Sequence, residues 1–218
     1  MLFKLIKKIK KINLFIKHNK KIFENSKNTK KNKILVDQFN YYPSLIPISH
    51  FVERLKKKHN ADVYLYETFM NKSLISYFKS LLNDYLPYGF FNIYSSFGCN
   101  KKFYHKFNDK IIESSKTKFE EVFSKLKTKN DVLDIYVDNI YIGDLLYDSF
   151  LMAKNKPTLD IKSKEFKIFL KNFLKLFYFW KDYFQTELST LKAIVVSPRC
   201  ISLRNTFEIC SKFFNSLL

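Results

Sequence analysis

Two carboxylates and a phenol follow a glycine within residues 140–150, which read IYIGDLLYDSF. Gly143 would allow a tight turn or a close approach to a ligand, and Asp144 could cap a helix that starts here. In such a helix Asp144 and Asp148 are four positions apart and share one face. Paired carboxylates can act as acid and base when their environments separate the two pKa values. We therefore take Asp144 and Asp148 as candidate catalytic residues and Gly143 and Tyr147 as candidate substrate contacts; the plain alternative is a capped helix whose tyrosine packs.

The segments that must position this motif alternate between short apolar runs and longer amphipathic ones. Strands are predicted over 34–36, 62–66, 91–94 and 191–197, and helices over 48–58, 71–85, 108–127, 163–186 and 205–217. Residues 133–137 and 140–142 either pair through Asp138 and Asn139 or form one bent strand. Strands that alternate with helices of this length indicate right-handed βαβ units. The predicted fold class is α/β, a Rossmann-like parallel sheet with helices on both faces, as one domain over 34–218.

Ligands of open parallel sheets bind beyond the carboxyl ends of the strands. By that rule the candidate loops are 37–44, 67–71, 95–99, 143–148 and 197–204. The first loop carries Asp37, Gln38 and Asn40 beside two tyrosines, and such polar and aromatic groups suit sugar hydroxyls and sugar rings. We take these three residues as candidate substrate contacts.

The last candidate loop carries a different chemistry. Ser197, Arg199 and Arg204 precede a predicted helix, where backbone N–H groups and guanidinium groups can together hold an anion. These three residues are further candidate substrate contacts, and the alternative is an ordinary polar turn between a strand and a helix.

The positive charge of the chain is concentrated at its N-terminus. The net charge is +19, and residues 1–33 hold twelve Lys and one Glu, which is 12 − 1 = +11. Residues 2–23 have the pattern of a basic amphipathic helix, so we divide the chain into this helix (1–24), a polar linker (25–33) and the α/β domain. Such a helix suits an anionic membrane surface and lacks the apolar run of about 18 residues that a membrane span needs. The predicted location is cytoplasmic, peripheral at the inner face of the membrane.

Several function classes have little support in the residues. Only three of the 39 basic residues are Arg, whereas recognition of bases and phosphates favours the Arg fork, so nucleic acid is an unfavoured partner. The three Cys and four His residues show no metal-ligand spacing, and we expect no metal. The chain also lacks GxGxxG, GxxxxGK[ST] and GxSxG, which removes the motif support for dinucleotide, P-loop and hydrolase chemistry.

Longer runs of the sequence resemble a known family. The runs IYIGDLLYDSFL, KPT at 156–158, FYFWKDYF and LKAIVVS, with KILVDQFNYYPSLIPISHFVERLKKKHNADVYLY at 33–66, resemble the N-terminal half of capsule and surface-polysaccharide biosynthesis proteins. Those proteins are glycosyltransferase-like, with two Rossmann-like domains that face each other across a cleft. The resemblance covers about residues 33–210 and implies an acceptor-side domain that meets a glycan or a lipid-linked glycan.

The sequence departs from that family in two ways. The family has a His after the serine that closes the last strand, where this chain has Pro198, and it has a second domain that binds most of the nucleotide-sugar donor. The resemblance therefore implies a truncated relative that is an active glycosyltransferase only if a second half completes it, with no cofactor bound in this chain. The alternatives are a non-enzymatic scaffold domain that docks a separate partner subunit and, third, a basic nucleic-acid-binding protein.

Overall fold

The computed structural model describes residues 2–23, 31–37, 42–66, 86, 90–103, 106–187 and 189–195. The described residues form two compact units: unit 1 comprises those up to 103 together with 189–195, and unit 2 comprises 106–187. The single domain expected over 34–218 stays a prediction, since one domain can contain two such units.

The described elements follow one another in the order of a βαβ protein with a helical insertion. They are α1 (Leu2–Ile22), β1 (Asn32–Asp37), α2 (Tyr42–His59), β2 (Ala61–Tyr66), α3 (Phe90–Ser95), β3 (Cys99–Phe103), α4 (Asp109–Lys125), α5 (Lys129–Leu133), β4 (Tyr136–Val137), β5 (Ile140–Tyr141), α6 (Gly143–Lys154), α7 (Lys164–Glu187) and β6 (Leu191–Val195).

Unit 1 is built on a four-stranded sheet in the order β3-β2-β1-β6. Every strand pair in it is parallel, with Val36 of β1 opposite Leu65 of β2 on one side and Val195 of β6 on the other. Helices flank the sheet, and a basic amphipathic helix precedes it. The predicted fold class, a Rossmann-like α/β fold with an N-terminal helix, is confirmed.

One face of this sheet carries the core of unit 1. Successive residues of a strand point to opposite faces, so Ile34 and Val36 share a face. Apolar side chains of α1, α2 and α3 cover that face, and the buried cluster also includes Val63 and Leu65 of β2. These β-branched and aliphatic side chains form the continuous apolar runs that parallel strands need when they are covered by helices.

Two predicted elements of unit 1 differ in the structure. Residues 91–94 lie in helix α3 rather than in a strand, and the third strand is Cys99–Phe103. Helix α2 begins at Tyr42 rather than at residue 48, and Pro47 lies inside it. Pro43 is compatible with this start, because the N–H groups of the first helical turn have no partner within the helix. The helices predicted over 71–85 and 205–217 lie outside the described residues.

Unit 2 consists of four helices and a short hairpin. Helix α4 starts at the N-cap Asn108, whose side chain accepts a hydrogen bond from the Ile111 N–H at 2.8 Å. A capping box between Thr128 and Asp131 starts α5. The apolar side of α7 carries nine buried residues, among them Trp180, and the Lys171 ammonium lies 4.7 Å from the centre of the Phe119 ring of α4.

The hairpin decides between the two alternatives left open by residues 133–142. Tyr136 pairs with Tyr141 and Val137 with Ile140 in an antiparallel ladder. Asp138 and Asn139 form the turn with φ of 49° and 65°, and positive φ at both central residues is typical of the tight turns that match strand twist. The two segments are therefore paired strands and not one bent strand.

Candidate functional site

The strand order of unit 1 contains a reversal at β1. Strands β2 and β3 are added on one side of β1, and the chain then returns to place β6 on its other side. In open parallel sheets the crevice beyond the carboxyl ends of the two strands at such a reversal is the usual ligand site. Here those ends are Asp37 of β1 and Val195 of β6, since Val36 and Val195 are in register.

Among the candidate substrate contacts that the structure describes, Asp37 is the one that lies at this position. It ends β1 and is 2% exposed, and a carboxylate is costly to bury unless polar partners compensate it. The Tyr94 hydroxyl of α3 donates a hydrogen bond to the backbone carbonyl oxygen of Asp37 at 3.2 Å. The carboxyl end of β1 is thus fixed by a buried side chain from a neighbouring helix.

Two aromatic residues continue this edge of the sheet and were missed as site residues in the sequence. Tyr66 of β2 is in register with Asp37, and Phe103 of β3 is in register with Tyr66. The two ring centres lie 5.9 Å apart. Tyr66 was predicted to end a strand, which was a usable signal, whereas the strand of Phe103 was not predicted. A carboxylate next to an aromatic pair is a combination that can hold a polar ring such as a sugar.

The opening motif lies elsewhere. Gly143 begins helix α6 directly after β5, and β5 belongs to the two-stranded hairpin and not to the parallel sheet. The expectation that residues 143–148 form a loop at the carboxyl edge of the sheet is therefore wrong. Asp144 and Asp148 do share the exposed side of one helix, and Tyr147 beside them is half-buried. Their catalytic role stays a prediction.

The glycine and the first aspartate of α6 have local structural partners. A Cβ atom on Gly143 would lie 1.9 Å from the carbonyl oxygen of Leu133, so the close approach that glycine permits is to protein backbone. The N-cap is Ile142 rather than Asp144, but the Asp144 carboxylate accepts a hydrogen bond from the Leu145 N–H at 2.7 Å. Asp144 thereby satisfies one of the free N–H groups of the first helical turn.

Of the other candidate loops, 95–99 does not lie at this edge. Residues 95–99 join α3 to the amino end of β3, so this loop lies at the opposite end of the strand from the one expected. Outside the described residues lie the loop 67–71 and the candidate contacts Gln38, Asn40, Ser197, Arg199 and Arg204.

Unit 2 contains a small cavity, and two of the carboxylates that line it form hydrogen bonds within the protein. The cavity holds about 210 Å³ and is lined by Glu121, Val122, Lys125, Leu126, Asp131, Asp134, Ile135 and Tyr136. Hydrogen bonds from Lys118 and Lys125 lower the pKa of Glu121. Backbone N–H groups of Thr128 and Lys127 do the same for Asp131, which caps α5. Since Glu121 and Asp131 are engaged by the protein itself, the edge of the sheet is the better candidate site.

The described residues support neither a metal site nor a reactive thiol. Among the described residues, no three His, Cys, Asp or Glu side chains lie close enough together to hold a metal ion. Cys99 is fully buried, and burial raises the pKa of its thiol well above the ordinary value, an effect that the nearby charge of Lys56 offsets only in part. A thiol of this kind is not a nucleophile at neutral pH.

The N-terminal helix divides its two sides between the core and solvent. Ile12, Ile16 and Asn19 of α1 are buried, and the Asn19 amide donates a hydrogen bond to the Ser96 hydroxyl at 3.1 Å. The part of the apolar side that carries Ile12 and Ile16 is therefore packed within unit 1, whereas Ile6 on the same side is 43% exposed. The opposite side is exposed and basic. No helix in the described ranges has the length and apolar content needed to cross a membrane.

The fold and the edge of the sheet define a Rossmann-like α/β protein with a carboxylate at its topological switch point. The comparisons with known proteins add no relative: no protein-family model matches the chain, and no match was found among curated proteins or solved structures.

Proposed function

We propose that this chain is the acceptor-side domain of a glycosyltransferase-like protein of surface-polysaccharide assembly, capsular or lipopolysaccharide. The observation that carries the proposal is the row Asp37, Tyr66 and Phe103, in register at the carboxyl edge of the sheet beside the switch point. The family resemblance of residues 33–66 supports it as well, because that stretch contains β2 and all of β1 except Asn32.

The chemistry of this row suits a glycan acceptor. A carboxylate accepts hydrogen bonds from sugar hydroxyls, and charge-assisted hydrogen bonds are stronger than neutral ones. The half-buried Phe103 ring, backed by the buried Tyr66 ring, offers apolar area for the C–H faces of a sugar ring. The nucleotide-sugar donor belongs, in this proposal, to a second glycosyltransferase half, so that the domain contributes acceptor binding and orientation rather than the whole reaction.

A lipid-linked acceptor would place the protein at the inner face of the cytoplasmic membrane. The outward side of α1 supports that location, because Lys10, Lys17 and Lys21 are exposed there and the helix contains no acidic residue. Each basic side chain near an anionic leaflet contributes about 1 kcal/mol to attraction.

The proposal is tested by sugar binding to the full chain. Saturation-transfer NMR with glucose, galactose, N-acetylglucosamine and short oligosaccharides of these sugars should give signals from at least one of them, and Asp37→Asn should weaken that binding roughly tenfold, the equivalent of one hydrogen bond to a charged group. Uridine diphosphate is the probe for the donor, and we expect no binding. Melting curves establish that the variant is folded.

Asp148→Asn tests the competing candidate site, because Asp148 is an exposed carboxylate of α6. We expect it to bind sugar as the wild type does. A loss in Asp148→Asn with none in Asp37→Asn would move the site to α6, and a folded wild-type protein that binds none of these sugars would contradict the proposal.

A further inference from the structure

The exposed sides of α1 and α2 lie over the same face of the sheet. The buried residues of both helices belong to one cluster with Ile34 and Val36 of β1. The C-terminal end of α1 also lies close to α2, since the Phe23 ring just beyond α1 contacts the His50 ring of α2 edge-on with centres 5.3 Å apart. The outward sides of the two helices therefore lie over one face of the sheet and approach each other at the C-terminal end of α1.

The α1 part of this surface is basic with an apolar centre. Residues spaced three or four apart share one side of a helix, and Lys10, Leu14, Lys17 and Lys21 follow that spacing. All four are exposed, and Leu14 is 67% exposed. In the described part of the chain no carboxylate pairs with these lysines, so their charge is available to an external anion.

The α2 part repeats the same combination. Phe51, Arg54 and Lys58 lie on one exposed side, and Phe51 is 53% exposed. The acidic residue of α2, Glu53, is buried and pairs with Lys56 and Lys57 at 3.5 Å each. Its negative charge is thus removed from the surface and partly neutralised.

We propose that the outward sides of α1 and α2 form one docking surface for a bilayer of anionic phospholipid, with Leu14 and Phe51 as its apolar anchors; this inference rests on the membrane association proposed above and extends it to α2. The lysines meet the phosphate groups of the lipids, and the two anchors enter the boundary between headgroups and acyl chains. Because the apolar side of α1 stays in the core, the helix does not have to leave unit 1 to bind.

The residue types favour a bilayer over nucleic acid as the occupant. Aliphatic side chains such as Leu14 and the 55% exposed Ile46 gain free energy on entering a lipid interface but have no counterpart in a phosphate backbone. Recognition of nucleic acid relies on arginine forks and on several stacked aromatic rings. Across both helices this surface has one arginine, Arg54.

The experiment is co-sedimentation of the full chain with vesicles of phosphatidylcholine alone and of phosphatidylcholine with phosphatidylglycerol. The wild type should bind only the anionic vesicles. Leu14→Ser with Lys17→Gln, and separately Phe51→Ser with Arg54→Gln, should each weaken binding about tenfold, since each pair removes one charge and one anchor. Ile112→Ser with Lys116→Gln is the control, because these residues are a similarly spaced and exposed pair on α4.

The possible results distinguish the two-helix membrane surface from membrane association by α1 alone and from sugar binding. If only the α1 variant loses binding, the association by α1 stands and the two-helix surface is wrong. If the wild type ignores anionic vesicles, both membrane statements fail, while sugar binding that depends on Asp37 is unaffected. If the wild type ignores vesicles and binds a mixed-sequence RNA that both variants release, the surface is a nucleic-acid site.

Discussion

Gly143 is held by its neighbours more tightly than its sequence motif suggested. A Cβ atom at this position would meet the carbonyl oxygen of Leu133 at 1.9 Å and the carbonyl carbon at 2.3 Å, with the Val132 oxygen at 2.6 Å. These are backbone atoms at the end of α5, which cannot rotate away as a flexible side chain can. The absence of a side chain therefore lets the first turn of α6 pack directly on α5.

Replacement of Gly143 by alanine should destabilise unit 2 by about 3 kcal/mol, because the backbone of α5 or α6 must move to admit the methyl group. Urea unfolding followed by the fluorescence of Trp180 measures this, since Trp180 is the single tryptophan of the chain and lies in α7 of the same unit.

Asp144→Ala is the control at the next position. It removes the hydrogen bond to the Leu145 N–H but introduces no clash, so we expect a cost of about 1 kcal/mol, that of one lost hydrogen bond. Equal costs for the two variants would show that the contact with Leu133 does not constrain this glycine.

The strand-to-helix junction at this motif was predictable, but the groups that its residues contact were not. A glycine before two aspartates indicated a strand-to-helix junction, and such a junction is present between β5 and α6. Whether the glycine approaches a ligand or a backbone depends on α5, which is ten residues earlier in the chain and has only five residues. The same limit applies to Asp37, whose place beside Tyr66 and Phe103 follows from strand register and not from local sequence.

At the scale of elements, the hairpin is attached to α7 by one aspartate. The Asp138 carboxylate in the turn pairs with the Lys181 ammonium and accepts a hydrogen bond from the Tyr178 hydroxyl at 3.5 Å. Partial burial first, and then the negative charge of Asp138, raise the pKa of Tyr178 from its ordinary value of 10 to about 12. Because the pKa of Tyr178 is raised in the folded state, the neutral phenol contributes to the stability of the fold. This contribution is fully present below pH 10 and is lost as the pH rises through about 12.

Asp138→Asn should lower the pKa of Tyr178 part of the way from about 12 toward 10, because the charge is removed while the burial remains. Asparagine tolerates the positive φ of this turn position, so the hairpin itself should persist. An NMR titration of the chain labelled with ¹³C at tyrosine gives the pKa.

Glu165→Gln is the comparison for this titration, since Glu165 pairs with Lys156 and not with Tyr178. It should leave the pKa of Tyr178 unchanged. A Tyr178 pKa that also stays at about 12 in Asp138→Asn would mean that burial alone sets it.

Helices long enough to show an amphipathic pattern over several turns were predictable, and short helices and strands were not. Helices α4 and α7 lie within a few residues of their predicted bounds, because amphipathic spacing over four or more turns has no competing interpretation. Residues 91–94 are a short apolar run, which periodicity cannot assign to a helix or a strand. Strand β3 was missed because CNKKF carries two lysines; within the described sheet it lies at the edge, where charged side chains are common.

At the scale of the whole molecule, α1 is a structural part of unit 1 as well as a basic surface. The amphipathic pattern correctly predicted a helix with two sides, but it could not tell whether the apolar side faces a sheet or a membrane, since both are apolar environments. The buried Ile12, Ile16 and Asn19 assign that side to the sheet and to α3. Deletion of residues 1–24 would therefore disturb the core of unit 1 together with any surface function, and substitutions on the two sides of the helix are the cleaner test.

Ile16→Ala and Leu14→Ala are two neighbouring truncations on opposite sides of α1. Ile16 is 8% exposed and belongs to the core cluster, so its truncation should lower the free energy of unfolding of unit 1 by about 3 kcal/mol. Leu14 is exposed, and its truncation should change that free energy by less than about 0.5 kcal/mol. Hydrogen exchange of the β1 and β2 amides reports on unit 1 specifically.

At temperatures below its unfolding midpoint, Ile16→Ala should still bind anionic vesicles, whereas Leu14→Ala should bind them more weakly. Similar small effects of both truncations on hydrogen exchange would contradict the packing of α1 on the sheet, because a helix held in the core cannot lose a buried side chain without a loss of stability.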